Sequence, residues 1–91
     1  MKNRNTVTWR QIETLLLHLG FTSFERPNRG VVYEHAESGT VLLLPPVDKV
    51  KTPRAADIHS IGQHLIGHGL LEEDAFAAFV RDGIIPQPSQ T

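Results

Sequence analysis

The chain is predicted to be a single α+β domain in the order α-β-β-β-α, with a three-stranded antiparallel sheet, the helices on one face, and a short further helix near the C-terminus. Three observations predict it. Trp9, Ile12, Leu15, Leu16 and Leu19 recur at helical spacing and stop at Gly20. Three short runs rich in β-branched, aromatic or leucine residues, at 22–26, 31–35 and 40–44, are separated by clusters of turn residues. Thr52-Pro53 then opens a second apolar stripe at helical spacing. The domain is expected to span residues 1–83, with 84–91 an extended or disordered tail onto which Ile84 and Ile85 can dock.

Each element has its own local signal. Thr8-Trp9-Arg10-Gln11 fits a capping box, with Val7 and Ile12 at the two staple positions. Gly20 supplies a left-handed cap that lets Phe21 fold back onto the last turn. Pro27-Asn28-Arg29-Gly30 forms the first turn of the meander and Ala36-Glu37-Ser38-Gly39 the second. The unbroken run Val41-Leu42-Leu43-Leu44 predicts a third strand covered on much of both faces, closed by Pro45-Pro46. In the second helix Thr52 is the expected N-cap and Pro53 the first helical residue, with Ala55, Ile58, Ile61, Gly62 and Leu65 buried and an end at about Leu65 or Ile66. The third helix places Glu72, Glu73 and Asp74 in its first turn and stops at Gly83. The expected core is Trp9, Ile12, Leu16, Leu19, Phe21, Val32, Val41, Leu43, Ile58, Ile61 and Leu65.

Composition bounds the function. The chain has 91 residues, 40% hydrophobic and 21% charged, and no cysteine, which excludes disulfides and cysteine-based metal or redox motifs. No apolar run approaches the roughly 20 residues that span a bilayer. The N-terminal residues lead into no apolar segment of the secretory kind, so a cytoplasmic protein is expected. Formal net charge is −1. Residues 1–54 hold eight Lys/Arg against five Asp/Glu, net +3, and residues 55–91 hold one against five, net −4. Such a dipolar domain can present a basic face to phosphate and another face to a partner.

A glycine–aromatic pair, Gly20-Phe21, ends the leucine-rich first helix. Tyr33 and His35 lie on the middle strand, Pro45-Pro46 closes the third, and a basic segment from Lys49 to Arg54 enters the second helix. Over about residues 8–70 this arrangement resembles the HicA toxins of bacterial toxin–antitoxin systems, whose layout is that of double-stranded RNA-binding domains. The resemblance implies that fold, contact with RNA, and an antitoxin-like protein partner. It fails at the family's catalytic glycine–serine–histidine motif, which falls on Asn28-Arg29-Gly30. Metal-free RNA cleavage needs a group that takes up and returns protons near neutrality, and glycine has none. The chain therefore reads as a domain that contacts RNA or an antitoxin without being a competent ribonuclease. Two alternatives stand beside it. One is a protein-interaction or dimerisation module with no nucleic-acid role; the other is an active mRNA ribonuclease that uses His35.

The candidate RNA-binding residues are Arg26, Arg29, Lys49, Lys51 and Arg54, with Glu25 and Asp48 diluting the patch. The first strand turn and the N-terminal end of the second helix would face one duplex. His35, between Glu34 and Glu37, reads chiefly as a surface histidine near a turn. Asp57, His64 and His68 share one helical flank, but the glycines around His68 spoil the spacing, so neither a metal nor another cofactor is expected.

Overall fold

The structure is a computed structural model and describes residues 7–46 and 48–86. Helix α1 (Trp9–His18) begins at the predicted box: the Thr8 amide donates to Gln11 Oε1 at 2.8 Å, and the Gln11 amide donates to Thr8 Oγ1 at 3.3 Å. Val7 and Ile12, the staple pair, are both fully buried. At the other end the Phe21 amide donates to the Leu16 carbonyl at 3.0 Å and the Gly20 amide to the Leu17 carbonyl at 3.1 Å. That bond pair is the Schellman pattern, with Gly20 at φ +103° as the left-handed residue. Phe21 is thereby folded into the core.

Strands β1 (Thr22–Arg26), β2 (Gly30–His35) and β3 (Thr40–Leu44) form an antiparallel meander in the order β1-β2-β3. Pro27 followed by Asn28 at φ 63°, with the Arg29 amide donating to the Arg26 carbonyl at 2.8 Å, is a type II turn pattern. In register, Ser23, Tyr33 and Leu42 lie side by side on one face, and Phe24, Val32 and Leu43 on the other.

Helices α2 (Ala55–Gly67) and α3 (Glu73–Asp82) complete the fold, an α+β arrangement with the helices on the Tyr33–Leu42 face of the sheet. The core joins Trp9, Ile12, Leu15 and Leu16 of α1 to Tyr33 and Leu42, to Ile58, Ile61 and Leu65 of α2, and to Phe76 and Phe79 of α3. Ile85 packs against this cluster from the C-terminal segment, whereas Ile84 is exposed. Residues 87–91, the rest of the expected tail, lie outside the described residues.

The structure corrects four expectations. Val41 and Leu43 are outside the core, at 50% and 68% exposure, and Val32 is only half-buried. Tyr33 and Leu42 occupy the interior instead, because strand residues alternate and only one face carries helices. Leu19 is the C-cap of α1 and packs only partly against the core. Helix α2 has Arg54, not Thr52, as N-cap, which leaves Pro53 buried ahead of the helix and Ala55 exposed on its first turn. Here a long-range constraint overrides the local signal: the Lys51 carbonyl accepts from the Trp9 amide at 2.9 Å, so the linker is still pinned to α1 at that point. The helix also runs to Gly67, one residue past the expected end.

Candidate functional site

A cleft of about 500 Å³ opens between the first turn of α1, the β1–β2 hairpin and the end of β3. Trp9 and Pro45-Pro46 form its walls, Gly30, Val31 and Tyr33 its floor, and Glu13, Glu25, Arg26 and Lys49 its charged lining. Two of the five sequence-predicted cations, Arg26 and Lys49, border this cleft, although strand alternation turns the Arg26 side chain toward the opposite face of the sheet. Lys49 is already engaged there, with its Nζ 3.0 and 3.1 Å from the two carboxylate oxygens of Glu13.

Tyr33 is 2% exposed, and its hydroxyl has no hydrogen-bond partner among the described residues. Burial, reinforced by the Glu13 and Glu25 carboxylates, pushes its phenol up to about 12. The phenol is therefore neutral at physiological pH values.

Gly30 sits on the same floor at φ +94°, and a Cβ there would overlap the Leu44 carbonyl oxygen. The position to which the resemblance assigns a catalytic histidine is therefore closed to any side chain, by backbone conformation and by space.

The other predicted cations are dispersed. Arg29 lies in the exposed hairpin turn, and Lys51 is exposed on the linker. Arg54 caps α2, and its guanidinium is held by Asp57 at 3.4 Å. Arg26, Arg29 and Lys51 make no ion pair among the described residues.

His35 fastens the second hairpin turn. The Ser38 amide donates to its Nδ1 at 3.3 Å, the Ser38 hydroxyl lies 2.9 Å from the same nitrogen, and Thr40 Oγ1 is 2.6 Å from that hydroxyl. A backbone amide can only donate, so this geometry suits the tautomer with its proton on Nε2. The Nε2 edge lies against Gly20, and the ring is tilted on Phe21 at a centroid distance of 5.2 Å. Asp57 and His64 line a small cavity of about 120 Å³ with Ser60 and the edge of β3, while His68 caps the end of α2 outside it. No cluster of three or more histidines and carboxylates could hold a metal ion among the described residues.

The protein-interaction alternative finds its surface on the open face of the sheet, made by residues three of which, Val32, Val41 and Leu43, the sequence assigned to the core. Phe24, Val32 and Leu43 form one row across three strands, at 53% exposure for Phe24 and 68% for Leu43, and half-exposed Val41 lies diagonally beside them. The available signal was combined strand alternation: burying Tyr33 turns Phe24, Val32 and Leu43 outward together.

Set beside protein-family models, curated proteins and solved structures, the chain matches none of them.

Proposed function

We propose that this domain is a protein-binding module that docks its partner on the open face of the sheet, and that it is not a histidine-type ribonuclease. The observation that carries the reading is the exposed row Phe24–Val32–Leu43 with Val41. Apolar side chains contiguous over three strands, on a face that no described helix covers, mark an interaction surface and a liability if left bare. The catalytic half of the reading rests on Gly30, where a histidine has no room, and on His35, whose ring is committed to a turn. The partner classes are an antitoxin-like protein, which the resemblance to HicA toxins supplies, and a second copy of this chain.

The test uses 8-anilinonaphthalene-1-sulfonate as a probe of the face. Folded wild-type protein should enhance its fluorescence, and Leu43→Lys should remove most of that enhancement without lowering the melting temperature, because Leu43 is already largely solvated. Absence of probe binding to the folded wild type would overturn the reading.

One observation favours a second reading, weak contact with RNA: Arg26, Arg29 and Lys51 are exposed and make no ion pair among the described residues. If they bind phosphate, affinity for a labelled RNA duplex should fall steeply between 50 and 300 mM salt, and Arg29→Ala should flatten the dependence. A flat profile with no affinity removes this reading and leaves protein docking intact.

A further inference from the structure

We infer that the occupant of the open sheet face is a second copy of this chain, stacked face to face about a two-fold axis that runs between the two sheets and perpendicular to the strands. The inference rests on the reading of that face as a docking surface and adds the partner's identity and geometry.

Strand register divides the face into three rows. Thr22, Glu34 and Val41 form the first, Phe24, Val32 and Leu43 the second, and Arg26 with Gly30 the third. An apolar row thus lies between an acidic end, Glu34, and a basic end, Arg26, both exposed. A two-fold axis along the strands would superimpose rows of the same kind and set Glu34 over its own copy. An axis across the strands reverses the row order while keeping the middle row on itself. Phe24, Val32 and Leu43 then meet their own copies, and Arg26 of each protomer lies over the row that holds Glu34 of the other. The face is self-complementary under that operator alone, as an isologous contact requires.

Size sets the strength. Three strands of five or six residues cover a face about 15 Å wide and 17 Å long, less than the roughly 800 Å² per partner of a standard stable interface. The dimer is therefore weak and concentration-dependent. It would be an aligned sandwich of two three-stranded sheets, with each helical layer facing outward.

Sedimentation velocity between 10 μM and 1 mM tests this. Wild-type protein should pass from monomer to dimer over that range, and Leu43→Lys should weaken association at least tenfold. Arg26→Glu should weaken it severalfold, and the double exchange Arg26→Glu with Glu34→Arg should recover affinity to within about threefold of wild type. All three positions are exposed, so circular dichroism should show unchanged folding. Failure of the exchange to restore affinity would overturn the proposed axis, and a dimer indifferent to Leu43→Lys would place self-association elsewhere, such as strand-edge pairing of β1. A wild type that stays monomeric at 1 mM overturns the self-association. If the fluorescent probe still binds that monomer, the docking face stands and only its partner is wrong; if it does not, both fall.

Discussion

Position 30 is constrained twice, by a positive φ and by the Leu44 carbonyl packed against its α-carbon. Gly30→His should therefore not create a ribonuclease. Left-handed strain and overpacking each cost about 1–3 kcal/mol, so the expected result is a loss of roughly 2–6 kcal/mol in urea denaturation and no cleavage of an RNA substrate. Leu16 is fully buried between α1 and the sheet, and Leu16→Ala should cost about 2–5 kcal/mol. At Tyr33 the folded state favours the neutral phenol, raised to about 12 by burial and then by Glu13 and Glu25. The stabilisation this carries is complete below the unfolded value of about 10 and is lost as pH climbs toward 12, up to about 3 kcal/mol. Tyr33→Phe should flatten that part of the stability–pH curve measured beside wild type. Which residues of the helical stripe were buried could be read from spacing alone, as Ile12 and Leu16 show. The strand residues could not: Val41-Leu42-Leu43-Leu44 has no alternation to read, so its facing is set only by what the helices cover.

Among the elements, those with strong local chemistry lie where the sequence put them. The capping box starts α1, Gly20 ends it, and Gly83, left-handed at φ 71°, ends α3. Thr8→Ala should cost about 0.5–2 kcal/mol, because it leaves the Gln11 amide without its acceptor; thermal denaturation measures it. The start of α2 was not legible for a physical reason. Thr52-Pro53 is a sound local start signal, but the linker before it is held down on another element, and helical geometry begins only when the chain is released at Arg54. The candidate site was legible in the same uneven way. Arg26 and Lys49 do border one cleft, yet Glu13, which neutralises Lys49 from 36 residues away, has no sequence signal as a partner. Cations can be counted from a sequence, but their partners depend on the fold.

At the scale of the whole molecule the domain is a slab, with extents of 38 × 37 × 18 Å. Its thin dimension accommodates one sheet and one layer of helices, which leaves one side of the sheet uncovered by the described residues. The charge is divided along the chain, with the excess of Lys and Arg in residues 1–21 and in the 45–54 linker and the excess of Asp and Glu from α2 onward. The linker has a further consequence. The amides of Trp9 and Arg10 are first-turn donors that a helix ordinarily leaves to water, and here they reach the carbonyls of Lys51 and Lys49 at 2.9 and 3.0 Å. Opening of the helix start and detachment of the linker are therefore one event, although the two segments are some forty positions apart in the chain. In native-state hydrogen exchange, Trp9 and Arg10 should resist deuterium as long as the linker stays docked. They should lose that protection together in Glu13→Ala, which releases Lys49. During synthesis, the first turn of α1 would wait for residue 51 to leave the ribosome before its amides found their acceptors.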